Sequence, residues 1–181
     1  MTRIRISLMA IVALVFSATS LAGTAVGAPP NRPPRPISIT LDLSFVVGGA
    51  QECRIEDGFV PTILDGGGQV SHLGRVDLAG GGCANFTPGP NFGDLEDGFV
   101  RYTAANGDVL ELDFLGSLGI DAMSGMFTGE GQLQIVGGTG RFASATGEID
   151  WLITSGVLTG SGGEAPIVGD GWIVYDASDR R

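Results

Sequence analysis

The run Ile37-Ser-Ile-Thr-Leu-Asp-Leu-Ser-Phe45 alternates apolar and polar residues over nine positions. Successive side chains of a strand point to opposite faces, so this period describes a strand with one buried face. Ile37, Ile39, Leu41, Leu43 and Phe45 share that face, and Ser38, Thr40, Asp42 and Ser44 share the other. The pattern recurs in Phe99–Thr103, Val109–Leu115, Met126–Val136, Gly147–Thr154 and Gly171–Tyr175. Ala104-Ala-Asn-Gly-Asp108 separates two of these runs, and Asn-Gly between alternating runs is the strongest short hairpin signal. Glycine, 31 of 181 residues, stands between almost every pair of runs, and nothing after the N-terminal segment has a sustained 3.6-residue period. The expectation is an all-β domain of about eight short antiparallel strands, either a small barrel, whose closure removes exposed edges, or a sandwich. Ile39, Leu41, Leu43, Leu112, Phe114, Ile149 and Trp151 are expected to share one interior. Asp42, Glu111, Asp113, Glu148 and Asp150 then lie on the opposite faces.

The first 28 residues differ from the rest. Arg3 and Arg5 precede the apolar run Leu8–Ser17, and small residues follow through Ala22, Ala25 and Ala28. That order reads as a signal peptide, and the run is shorter than the roughly 20 apolar residues of a membrane span. The expected organisation is a signal peptide over 1–28, a Pro-rich extended spacer over 29–36 (PPNRPPRP), a barrel domain over 37–176 and a tail over 177–181. The protein is thus expected to be secreted or extracytoplasmic, with no membrane span. Cys53 and Cys83 are an even pair in an exported chain, which predicts a disulfide. Past residue 28 the chain carries twenty acidic residues against eight arginines and no lysine, a balance that repels phosphates and argues against nucleic acid as a partner.

Glu56-Asp-Gly-Phe-Val60 recurs as Glu96-Asp-Gly-Phe-Val100, and each copy leads into a run ending at a glycine turn, Asp65-Gly-Gly-Gly68 or Asn106-Gly-Asp108. The most distinctive segment is Ile135-Val-Gly-Gly-Thr-Gly-Arg-Phe-Ala-Ser-Ala-Thr-Gly147. A dinucleotide loop needs a following helix inside a βαβ unit, and the next run here alternates like a strand. The structural reading is a turn whose glycines supply positive φ while Phe142 and Ala145 plug the sheet end.

Gly137, Gly138, Thr139, Gly140, Arg141, Phe142 and Gly147 match the GGTG-(R/K)-F-x-x-A-x-G signature, and the segment resembles the allene oxide cyclase-like barrels and the dirigent proteins. Ser71-His-Leu-Gly-Arg75 and Ala105-Asn-Gly-Asp108 look like two further segments of bacterial exported members of that group, in the same order. The resemblance implies an eight-stranded antiparallel barrel of lipocalin-like shape. It also implies relatives that are trimeric and act without a cofactor, cyclising a fatty-acid epoxide or steering phenoxy-radical coupling. No catalytic residue carries over.

His72, the sole histidine, is a candidate acid or base placed in a strand, and Glu111 and Asp113 are candidate carboxylates should their face line the lumen. No cofactor and no metal site are expected. Three functions remain: binding of a small hydrophobic molecule in the barrel, a cofactor-free cyclase or dirigent-like control of a reactive intermediate, and a structural or surface-assembly module, possible as a homo-oligomer. An open apolar lumen favours the first, convergent polar groups the second and a filled lumen the third.

Overall fold

The computed structural model describes residues 32–86, 89–121 and 123–176, the side chains of 89–92 excepted. The expected signal peptide and C-terminal tail lie outside them. The fold is a closed barrel of eight antiparallel strands, each paired with its neighbours in chain order. They are β1 (Arg35–Val47), β2 (Phe59–Val70), β3 (Gly74–Asn85), β4 (Gly89–Ala104), β5 (Val109–Asp121), β6 (Met126–Gly138), β7 (Thr146–Thr159) and β8 (Gly162–Val174). β1 closes the ring by pairing with β8 from Arg35↔Ile173 to Val46↔Gly162. Two short 3₁₀ turns, Ile55–Asp57 and Gly140–Phe142, complete the described elements.

β1 begins two residues earlier than the expected domain start, taking Arg35 and Pro36 from the spacer. Pro36 is tolerated because β1 meets β2 only from Ile39 onward, so its missing N–H leaves no ladder bond unmade on that side. Asp65-Gly-Gly-Gly68 is not a turn. It lies inside β2, where Gly66 and Gly68 pair with Leu43 and Leu41. A Cβ on Gly68 would come within 2.8 Å of Leu41 Cα, so these glycines mark close approach of two backbones, not a chain reversal. The two Glu-Asp-Gly-Phe-Val copies also differ. The first joins a 3₁₀ turn to the start of β2 and buries Phe59, whereas the second lies at a bulge inside β4 and leaves Phe99 48% exposed. The hairpin expected at Asn106-Gly107 is present, with Gly107 at φ +85° and its N–H donating to Ala104 O at 2.9 Å.

The alternation is resolved as expected. Ile39, Leu41, Leu112, Ile149 and Trp151 are buried in the lumen, and Leu43 and Phe114 pack against them half-buried. Asp42, Asp113 and Asp150 are exposed, and Glu111 and Glu148 are half-exposed on the same outer surface. Cys53 and Cys83 form a disulfide. It ties the loop between β1 and β2 to β3, where Arg54 also pairs with Asp57 at 3.1 Å and with Glu96.

Large rings in the lumen face glycines one or two strands away. Trp151 lies over Gly116 and Gly131, Phe114 over Gly98, Phe127 over Gly156 and Phe45 over Gly163. A Cβ on Gly131 or Gly163 would approach the facing ring to 2.7 Å, and one on Gly116, Gly98 or Gly156 would collide with it outright. Gly116→Ala should therefore lower stability by about 1–3 kcal/mol, the usual cost of overpacking. Urea unfolding measures the loss, and near-UV circular dichroism reports the displaced indole. An unchanged midpoint with an unchanged spectrum would refute the packing.

Candidate functional site

Because every neighbour is antiparallel, the loops sort to two ends. One end carries the β2–β3 turn with His72, the β4–β5 turn with Asn106 and Asp108, the β6–β7 connection with the glycine motif, and Tyr175 after β8. The other carries the disulfide-bonded β1–β2 loop, the β5–β6 and β7–β8 turns and Phe86.

The three motif segments, scattered over some seventy residues, meet at the first end and close it. Gly140, at φ +55°, adopts the left-handed conformation that a side chain disfavours, and a Cβ there would collide with the Asp108 carboxylate. Arg141 Nε lies 3.4 Å from Asp108 Oδ2, an ion-pair distance without hydrogen-bond alignment, while Arg141 Nη2 donates to His72 O. Thr139 is tied twice to Val109, its N–H donating to Val109 O at 2.8 Å and its Oγ1 accepting from Val109 N at 2.9 Å. Beneath this cap Phe142 is 0% exposed and Ala145 is buried, with the Phe142 ring tilted against that of Tyr175 at 4.9 Å between centroids. Arg141 and Arg35 lie over these rings, and Arg35 Nη1 donates to the Tyr175 hydroxyl at 3.2 Å.

His72 is in this cap, not in a strand. It has φ +72°, sits half-buried in the β2–β3 turn and packs its ring 5.6 Å from Tyr175. Its Nε2 donates to Pro36 O at 2.8 Å, since a carbonyl can only accept. Glu111 is on the outer face of β5, where Arg101 Nε donates to Oε1 at 3.1 Å, and Asp113 is exposed on the same face. The structure thus gathers His72 with the glycine motif but leaves Glu111 and Asp113 far from both the cap and the lumen. Among the described residues no group of three or more His, Cys, Asp or Glu is placed to hold a metal. No described helix is long and apolar enough to cross a membrane.

Between mid-barrel and the disulfide end the lumen is not filled. A cavity of about 70 Å³ lies there, walled by Leu43, Leu64, Leu78, Phe114, Leu118, Leu133, Ile153 and Ile167 among others. Phe45, Phe86 and Phe127 form its outer rim, Phe45 stacked on Phe86 at 5.4 Å and edge-on to Phe127 at 5.9 Å. No charged side chain lines it, and the wall residues that carry a polar side-chain atom are Thr62, Tyr102 and Trp151, the Trp151 Nε1 being buried without a hydrogen bond. Thr62 Oγ1 donates to Gly82 O at 3.0 Å. Tyr102 is 2% exposed, and burial pushes its phenol well above the ordinary value, so it remains a neutral hydroxyl throughout the physiological range. Sequence reading assigned Trp151 to the interior as a hydrocarbon and passed over Tyr102. The alternation in Phe99–Thr103 places Tyr102 inward, but nothing local says that a cavity will face it.

No family model matches the chain, and no curated protein matches it. Among solved structures it is similar to the pterocarpan synthase dirigent protein GePTS1, at 15% sequence identity and a TM-score of 0.47, over 86% of this chain and 98% of that chain.

The cap makes a stability prediction. Hydrogen bonds to charged groups contribute about 1.5–3 kcal/mol, so Arg141→Ala should cost about that much. Arg75, exposed and without a hydrogen bond or ion pair among the described residues, should tolerate Ala within about 0.5 kcal/mol. Paired urea titrations of the two variants test this, and equal losses would show that Arg141 does not hold the cap.

Proposed function

We propose that the barrel binds a small apolar molecule in its lumen, outside the cytoplasm. The observation that carries this reading is the cavity itself. Its volume of about 70 Å³ exceeds what one water needs, roughly 10–15 Å³. A buried water needs two to four polar partners, and this wall offers few. Such a space is filled more favourably by hydrocarbon than by water. The Cys53–Cys83 disulfide supports an oxidising compartment. The cyclase and dirigent-like readings rest on the glycine-motif resemblance and ask for convergent polar groups where chemistry would occur. The cavity wall offers one phenol and one engaged hydroxyl, and neither His72, Glu111 nor Asp113 reaches it. The structural-module reading asks for a filled barrel, and it fits the capped end better than the other.

α-Methylstyrene is a suitable probe, being neutral and single-ringed. In a ¹H–¹⁵N titration it should shift the amides of Tyr102, Phe114 and Leu133 and leave those of Asn106 and Gly140 in place. Ile167→Phe, which fills the cavity, should abolish the shifts while preserving the spectrum of a folded barrel. Absence of binding, or shifts confined to the outer face, would overturn the proposal.

A further inference from the structure

The outer wall carries a surface that neither the lumen nor the cap uses. Two shallow depressions cross it from β4 to β7. One contains Phe99 and Asp113, the other Glu130, Asp150 and Leu152, and they share Leu115 and Gln132, so they form one groove. Single exposed apolar residues are ordinary on a protein surface, but those here fall in a line. Phe99 pairs with Asp113 on β5, two residues before Leu115. Leu115 pairs with Gln132 on β6, two residues after Glu130, and Glu130 pairs with Leu152 on β7. Phe99, Leu115 and Leu152 thus step obliquely across the wall at 48%, 61% and 43% exposure. Leu152 pairs in turn with the exposed Val168, which carries the stripe onto β8.

Carboxylates flank the stripe on both sides. Asp113 and Asp150 lie toward the motif end, and Asp94, Glu96 and Glu130 toward the disulfide end. Among the described residues only Glu96 of these has an ion-pair partner, Arg54. No arginine lines the groove, and Arg101, on the same face of β4 as Phe99, is paired with Glu111. A surface lined by one sign of charge attracts the opposite sign and rejects its own, which excludes nucleic acid, anionic lipid and acidic peptides. A second copy docked through the same face would set carboxylate against carboxylate. The closed barrel has no free edge for strand addition, so a partner must be held through side chains. A small cation would stay largely in water in so open a groove. Lysine and arginine, by contrast, lay apolar stems along hydrocarbon while their charged heads reach sideways. We propose that the outer face of β4–β7 docks a basic, amphipathic peptide segment of another protein, its apolar side chains on Phe99, Leu115 and Leu152 and its cationic side chains on Asp113, Asp150 and Glu130. This surface is separate from the lumen, and its occupant does not depend on lumenal binding.

Two peptides isolate the two halves of the recognition: acetyl-RLRLRLR-amide carries charge and hydrocarbon, and acetyl-RSRSRSR-amide carries the same charge alone. In a ¹H–¹⁵N titration at low salt the first should shift the amides of Phe99, Leu115 and Leu152 and leave those of Leu78 and Gly140 in place. The second should bind about tenfold more weakly or worse. Leu115→Ser should weaken the first peptide about three- to tenfold, and Asp113→Asn combined with Asp150→Asn should do the same, with less salt dependence remaining. No binding of the first peptide, equal binding of the two, or shifts centred on another face would overturn the proposal. Equal affinity of wild type and Leu115→Ser would overturn it as well. Should a variant not fold, the comparison of the two peptides on the wild type decides alone.

Discussion

The interior of an eight-stranded barrel is only wide enough for side chains to fill it, so every large ring pointing inward must find room on the facing wall. This chain provides that room by setting glycines against rings. Trp151 lies over Gly116 and Gly131, Phe114 over Gly98, Phe127 over Gly156 and Phe45 over Gly163. The rings are thereby pressed toward the wall and not across the lumen. That arrangement explains how a barrel with so many inward aromatics retains a cavity of about 70 Å³ along its axis. It also accounts for part of the high glycine content, which in a strand would otherwise be a loss of packing and a cost in chain entropy.

The two ends of the barrel are built on different physics. At the motif end the seal is polar and directional: Gly140 gives way to the Asp108 carboxylate, Arg141 spans Asp108 and the His72 carbonyl, and Phe142 fills the space beneath. At the disulfide end the rim is three phenylalanines whose contacts are apolar and less directional. A seal fixed by charge and backbone geometry is suited to staying shut. A rim of rings, each able to turn about its side-chain torsions, has no such fixed polar closure.

Much of the fold was legible because period-2 alternation is a direct record of which face is buried. Ile37–Phe45 and Val109–Leu115 placed their inward residues correctly, and the Asn106-Gly107 hairpin followed from the positive φ that Gly107 supplies. β2 and β3 were harder to read because Gly66–Gly68 and Gly80–Gly82 interrupt the alternation, and glycine looks the same in sequence whether it turns a chain or admits a neighbouring backbone. His72 was misplaced into a strand for a related reason: its φ of +72° is uncommon for a residue with a side chain and is set by the cap around it. The glycine motif was recognisable as a unit, but its partners Asp108 and His72 come from distant segments that only the closed barrel brings together. Least legible was the unpaired indole N–H of Trp151. The residue read as interior, yet being unsatisfied is a property of its surroundings, which no local pattern encodes.

The central claim is that the lumen is sealed at the motif end and holds an apolar, ligand-accessible cavity toward the disulfide end. A crystal structure under xenon pressure tests it most directly, because xenon occupies dry apolar cavities and needs no polar partner. The account predicts xenon density bounded by Phe114, Leu133 and Trp151, and none beneath the cap around Phe142 and Tyr175. A lumen without xenon and with side chains in contact across the axis, or xenon lodged under the cap, would contradict it.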